Sequence, residues 1–223
     1  MFRVHSGTAT RDVVAAISHA VVAGWTGRDA AAVEKHIAEL EAIGVARPSS
    51  IPTFYRVSAN RVVTDSAIDV LGEESSGEVE CVFLQSAGRL FVGVGSDHTD
   101  RRVEAYCVSA SKQICDKPMA ADLWEFAELA DHWDRLVLRS WIFEHDTRVP
   151  YQEGTVAAMR PPADLIARYA GTPELPDGTV MFGGTLPVRG GVRPSRRFEF
   201  ELEDPVLQRR IRHGYDVITL PLA

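Results

Sequence analysis

The stretch from Phe54 to Val94 constrains the fold most. Short apolar runs, rich in valine, are broken there by Asn60, by Asp65-Ser66 and by Glu73 to Gly77. The breaks come too often for helices, and the pattern predicts a series of short strands. Its last two runs, Cys81 to Leu84 and Leu90 to Val94, flank Ala87-Gly88-Arg89. A glycine-bearing turn between two apolar runs predicts an antiparallel hairpin.

The rest of the chain adds a few helices. Val13 to Val22 is apolar and partly β-branched and reads as a strand, ended by Gly24-Trp25-Thr26-Gly27. Asp29 is placed to cap a helix, because its carboxylate can accept the free amide protons of the first turn. Val33, Ile37 and Leu40 then fall on one helical face, and Gly44 stands where a left-handed residue ends such a helix. Pro48 to Pro52 reads as an extended connector. Asp122 to Trp133 reads as a helix with Leu123, Phe126, Leu129 and Ala130 on one side, and Val137 to Phe143 as a strand. Pro161-Pro162-Ala163-Asp164 opens a helix through Tyr169 that Gly171 ends. Thr179–Phe182, Arg196–Leu202 and Tyr215–Leu220 read as strands. The expectation is an α+β architecture dominated by mixed sheet, in a single domain over residues 1–223.

Composition narrows the partners. The net charge is −7, and no cluster of Lys and Arg forms a phosphate-binding stripe, so nucleic acid is not expected. No apolar run approaches the roughly 20 residues of a membrane span. The start, Met1-Phe2-Arg3-Val4-His5, lacks the layout of a signal peptide. Cys81, Cys107 and Cys115 have no C-x-x-C spacing, so reduced cysteines in a cytoplasmic protein are expected.

Two constellations carry chemistry. Glu78 and Glu80 stand two apart at the start of an apolar strand, so they project to one face and repel each other. A hard divalent cation would neutralise them with oxygen ligands. Asp97 or Asp100, after the next strand, is the third carboxylate that the hairpin would return beside them. By spacing alone the same E-x-E is also the solvated face of an edge strand. His36 and Glu39 stand at i and i+3 on the first helix, where a carboxylate can orient an imidazole as a base for water. The same spacing is also that of a surface ion pair. Gly183-Gly184-Thr185 is a tight turn that could present backbone amides to an anion. No dinucleotide-binding glycine motif, P-loop or nucleophile elbow is present.

These pieces stand in an order that resembles the fumarylacetoacetate hydrolase superfamily, from about Gly27 to the C-terminus, with residues 1–26 outside the clearest similarity. Pro52-Thr53-Phe54-Tyr55-Arg56 is similar to its P-x-F-F-K stretch, and Gly77-Glu78-Val79-Glu80-Cys81-Val82-Phe83 to its Y-E-x-E-L-x-V strand. Ser96-Asp97-His98-Thr99-Asp100-Arg101 is similar to N-D-x-S-x-R, Lys112 to its active-site lysine, and Tyr151-Gln152-Glu153-Gly154-Thr155 to the end of W-V-N-G-x-x-x-Q-x-G-N-T. Leu175 to Thr185 is similar to L-x-P-G-D-V-I-x-T-G-T, and His36 to Glu39 to the H-x-x-E of a lid helix.

The resemblance implies a layered mixed-sheet roll with a few peripheral helices, a homodimer, and Mg²⁺ or Mn²⁺ on Glu78, Glu80 and Asp97. It implies a small 2-oxo acid substrate, met by Arg101, Gln152, Gly184 and Thr185, with His36, Glu39 and Lys112 as catalytic residues. The expected reaction is hydrolysis of a C–C bond in an acylpyruvate-like substrate through a metal-stabilised enolate. Decarboxylation, tautomerisation and hydration use the same site. A small-acid-binding or protein-binding protein without catalysis is the rival class.

Overall fold

The computed structural model describes residues 1–7, 9–41 and 47–222, apart from the side chains of His36, Glu39 and Leu40. The chain runs β1 (Phe2–Ser6), β2 (Ala9–Val13), β3 (His19–Gly24), α1 (Ala30–Glu41), β4 (Thr53–Val57), β5 (Val62–Val63), β6 (Ala67–Leu71) and β7 (Ser75–Ser76). The hairpin β8 (Val79–Ser86) and β9 (Arg89–Ser96) follows, then β10 (Thr99–Asp100), α2 (Arg101–Glu104), α3 (Val108–Ile114), β11 (Lys117–Pro118) and β12 (Asp122–Glu125). The last elements are β13 (Val137–Glu144), β14 (Thr147–Thr155), α4 (Pro162–Ala170), β15 (Thr179–Thr185), β16 (Arg197–Asp204) and β17 (Arg209–Leu220).

Two mixed sheets dominate. The eight-stranded sheet has the order β2-β1-β12-β9-β8-β15-β3-β4, and the five-stranded sheet the order β14-β13-β16-β17-β6. Strand side chains alternate between faces, and β8 shows where each face goes. Cys81 and Phe83 join Leu138, Phe198, Phe200 and Tyr215 of the five-stranded sheet in one core. Val82 and Leu84 join Phe2, Val22, Phe91, Val180 and Phe182, from strands of their own sheet, in a second core. The eight-stranded sheet is therefore buried on both faces, which explains the unbroken apolar run of its central hairpin. The five-stranded sheet keeps one face in solvent, as the alternating burial along β13 shows.

Several expectations hold. Ala87 and Gly88 turn the β8–β9 hairpin with φ of 51° and 68°, as a two-residue mirror-image turn requires. Asp29 Oδ1 accepts the amides of Ala31 and Ala32 at 2.9 and 3.1 Å, and Gly171 ends α4 in the left-handed conformation. The three cysteines are free thiols, Cys81 and Cys115 buried and Cys107 exposed. The expected stop at Gly44 lies outside the described residues. Among the described residues, no helix is long and apolar enough to cross a membrane.

Two expectations fail. The strand read over Val13 to Val22 is two strands, because residues 14–18 join no ladder among the described residues. Their apolar alternation is real, since Ala15 and Ile17 pack on the second core. Asp122 to Trp133 is not a helix but β12 followed by 3₁₀ turns at Phe126–Glu128 and Ala130–Arg135. Leu123 and Trp124 are both buried, one in each core, and neighbouring residues reach opposite cores only in a strand.

Candidate metal centre

Glu80 lies on the face of β8 that also carries Val82 and Leu84, since strand side chains two apart share a face. It is opposite Gly95 of β9 on one side and Thr185 of β15 on the other. Glu78 directly precedes β8, and the Asp97 amide donates to its carbonyl oxygen at 3.0 Å. The hairpin thus returns Asp97 beside the two glutamates. One carboxylate oxygen from each of Glu78, Glu80 and Asp97 lies within 4.8 Å of the others. Glu80 and Asp97 are buried and Glu78 nearly so.

Burial makes this cluster unlike an edge-strand face. Desolvation raises Glu80 well above the usual carboxylate range, and Asp97 and Glu78 add to the rise. Desolvation raises Glu78 as well, against the pull of Arg101 and Lys112. Asp97 is also penalised by burial, but Lys112 and Lys117 outweigh this and hold it below its ordinary value. A buried like-charged cluster of this kind is stable only with a proton or a cation in it.

Cationic side chains surround the cluster. Lys112, on α3, hydrogen bonds Asp97 Oδ2. Burial disfavours its charge, but Asp97 and Glu78 keep it firmly protonated. Arg101 opens α2 just after Asp97, and Asp100 caps that helix by accepting the Val103 amide at 2.9 Å. Arg101 Nε donates to Ser76 Oγ at 2.7 Å and Nη1 to Glu104 at 2.8 Å. Its Nη2 lies 3.3 Å from Glu78 Oε1 but out of hydrogen-bond alignment, a buried donor without an acceptor among the described residues.

The Gly183-Gly184-Thr185 turn serves the carboxylates rather than an open anion hole. A register shift in β15 between Phe182 and Thr185 turns the Gly184 amide onto Glu80 Oε2 at 2.8 Å. Gly184 has φ of 96°, and a Cβ there would stand 1.7 Å from Thr26 Oγ1, so only glycine fits. The Thr185 hydroxyl donates to the Val79 carbonyl at 2.9 Å. Gln152, expected to meet substrate, bonds the protein around it. It is buried, and its amide donates to Thr185 Oγ1 (2.8 Å) and the Leu186 carbonyl (2.6 Å) while accepting from Val79 N (3.0 Å) and Ser140 Oγ (2.9 Å). With every hydrogen-bonding position filled, it braces the wall behind the turn.

Sequence reasoning missed a buried network that holds Asp97 from both sides. Its neighbours Ser96 and His98 bond the Tyr215 hydroxyl at 2.9 and 2.8 Å, and His98 Nε2 meets Ser75 Oγ at 2.8 Å. Burial, with Lys117 and Arg101 nearby, pushes the His98 imidazole down to about 3, so it is neutral and serves as one donor and one acceptor. Gly77 lets the chain pass, since a Cβ there would stand 2.7 Å from the Tyr215 hydroxyl. His36 and Glu39 lie on α1, but their side chains fall outside the described residues.

The fold and the cluster define a class: a two-sheet protein with buried carboxylates suited to a hard cation. The chain belongs to the family DUF2848, described as a protein of unknown function, whose model matches residues 23–215. No curated protein matches it significantly. Among solved structures it is similar to Cg1458 with inhibitor, at 16% identity and a TM-score of 0.68, over 92% of this chain and 78% of that one. It is also similar to 2-keto-3-deoxyarabinonate dehydratase, at 19% identity and a TM-score of 0.67, over 92% and 75% of the two chains. A further similar structure is 2-keto-3-deoxy-D-arabinonate dehydratase complexed with magnesium and 2,5-dioxopentanoate, at 17% identity and a TM-score of 0.65, over 92% and 74%. At these identities the likeness establishes the shared fold.

Proposed function

We propose that this protein is a divalent-metal-dependent enzyme of the fumarylacetoacetate hydrolase superfamily, acting on a small 2-oxo acid as a homodimer. Glu78, Glu80 and Asp97 would hold Mg²⁺ or Mn²⁺. The single observation that carries this reading is the convergence of those three carboxylates in a buried cluster. The donor set fits: three hard oxygens, two of them on groups whose burial raises their pKa until a cation replaces the proton. The motif order supports it, as does the dehydratase of the same fold, solved with magnesium and a 2-oxo acid.

A bound cation would supply Lewis-acid polarisation of the substrate's carboxylate and 2-oxo group. The protein's own residues do the rest. Arg101 Nη2 offers a spare buried donor to a substrate oxygen. Lys112 brings a positive charge toward oxygen that becomes negative, and a proton for a leaving hydroxyl. The Gly184 amide and the Gln152 brace hold Glu80 and its strand in place. Elimination of water takes a proton from C3 to a base, for which His36 on α1 is the candidate, while Lys112 gives a proton to the leaving hydroxyl. We favour a lyase reaction, with the dehydratase fold in support.

C–C hydrolysis, the expectation from sequence, is the second reading, favoured by His36 and Glu39 at i and i+3 on α1. A panel of 3-deoxy-2-oxo sugar acids, acylpyruvates and oxaloacetate, incubated with Mg²⁺ and analysed by NMR, separates the readings. Dehydration products are expected. Acylpyruvate cleavage lost in His36→Gln would establish the hydrolase instead. No turnover together with no Mg²⁺ binding would leave a binding protein.

A further inference from the structure

The chemistry proposed above makes no use of Lys117, which is wholly buried. An ammonium out of water must have its donors satisfied, and here backbone carbonyls satisfy them. Lys117 Nζ donates to His98 O at 2.6 Å, Lys112 O at 2.5 Å and Cys115 O at 3.0 Å. It also lies 3.4 Å from Asp97 Oδ1. The carbonyls of Lys112 and Cys115 belong to the end of α3, where the helix leaves carbonyls without internal partners. The carbonyl of His98 belongs to the turn that carries Asp97. One ammonium thus joins the helix of Lys112 to the turn of Asp97.

The two lysines flank one carboxylate in different ways. Lys112 spends its hydrogen bond on the carboxylate itself. Lys117 spends its three on the backbone on either side.

We propose that Lys117 is a positioning residue of the metal centre: its ammonium staples the end of α3 to the Asp97 turn, so that Asp97 is held where the cation is received. This rests on the reading of Glu78, Glu80 and Asp97 as the cation site. It gives the two lysines opposite signs. Lys112 competes with a cation for Asp97 Oδ2, so Lys112→Met tightens Mg²⁺ binding. By charge alone Lys117→Met would tighten it too, because a nearby positive charge repels the cation. As a staple, its loss weakens binding instead, by about 10- to 100-fold, the usual cost of an outer-shell partner.

The test is calorimetric Mg²⁺ titration of the wild type, Lys112→Met and Lys117→Met, with amide exchange over residues 108–117. The expected result is tighter binding in the first variant, weaker in the second, and faster exchange at residues 112–115 in the second alone. Binding as tight as wild type or tighter in a folded Lys117→Met would overturn the proposal. Should that variant not fold, ¹H–¹⁵N spectra of the wild-type lysine ammonium groups decide. A slowly exchanging Lys117 signal that stays fixed as Mg²⁺ is added, while the Lys112 signal moves, supports the staple. A Lys117 ammonium in fast exchange with water, or moving with Lys112, refutes it. A wild type that binds no Mg²⁺ fails the cation-site reading, and the metal-free exchange and ammonium spectra still judge the staple.

Discussion

On the outer face of the five-stranded sheet, Arg139 meets Glu153, Glu201 and Glu203, Arg210 meets Glu203 at 2.7 Å, and Arg212 meets Glu201 at 2.6 Å. Arg148 and Arg197 bracket Glu199 at 2.8 and 2.9 Å. At the carboxylate end of the eight-stranded sheet, Glu78, Glu80 and Asp97 face Arg101, Lys112 and Lys117. Both regions set carboxylates against cationic side chains, and the outcomes for their glutamates are opposite. On the outer face, arginine hydrogen bonds hold Glu153 and Glu203 below the usual glutamate range. In the cluster, burial pushes Glu78 and Glu80 above it. Each outer glutamate accepts hydrogen bonds from arginine, whereas among the described residues Glu80 accepts one from the Gly184 amide, and the pull of Lys112 does not offset its burial and two carboxylate neighbours. An ion-pair ladder in water completes itself, whereas in the buried cluster desolvation outweighs the surrounding cations and leaves two glutamates open to a proton or a metal ion.

The largest effect expected from this contrast is on metal affinity. Glu80→Gln keeps an acceptor for the Gly184 amide and removes the charge. It should lower Mg²⁺ affinity at least about 100-fold, since loss of outer-shell partners alone costs 10- to 100-fold. The metal-free variant should be no less stable than wild type at pH 8, because a buried repulsion is gone. Unchanged Mg²⁺ affinity would remove Glu80 from the centre.

The next effect is on stability against pH, with opposite signs in the two regions. Folded Glu80 keeps a proton that the unfolded chain loses above the ordinary glutamate range. Metal-free stability therefore falls as pH rises through the folded value, and the stabilisation by Mg²⁺ grows over the same range. Glu199 and Glu203 titrate low. Their contribution is present above the ordinary range and is lost as pH falls through their folded values. Urea unfolding from pH 4 to 8, with and without Mg²⁺, checks both. A gain from Mg²⁺ that is flat with pH would deny that the cation displaces a proton.

The smallest effect belongs to the ladder. Glu203→Gln should cost no more than about 1 kcal/mol, and that cost should shrink in 1 M NaCl. Mg²⁺ affinity should not move. A change in affinity would mean that the two charged regions are coupled.

What was legible in the sequence follows the range over which each signal acts. The Ala87-Gly88 hairpin, the Asp29 cap and the Gly171 stop are local, and all are formed. The i, i+2 spacing of Glu78 and Glu80 set their common face, but their burial comes from neighbours far along the chain. Asp122 to Trp133 misled because apolar residues three apart suit 3₁₀ turns as well as a helix. The helix bearing Lys112, Val108–Ile114, has few apolar positions to announce it. Tyr215 reaches Ser96 across 119 residues, and the partners of Lys117 are backbone carbonyls, which no residue spacing records. That the hydrogen bonds of Gln152 are all filled by the protein was not legible, because its partners come from β8, β13 and the end of β15.

The most direct test is a crystal structure grown with Mn²⁺ and measured for manganese anomalous scattering. One peak is predicted, within coordination distance of carboxylate oxygens of Glu78, Glu80 and Asp97, with Lys112 displaced from Asp97 Oδ2. A hard cation of this kind sits about 2.0–2.1 Å from its oxygens if it behaves as magnesium does. An ordered Lys112–Asp97 pair with no peak between the three carboxylates, under saturating Mn²⁺, would contradict the metal centre.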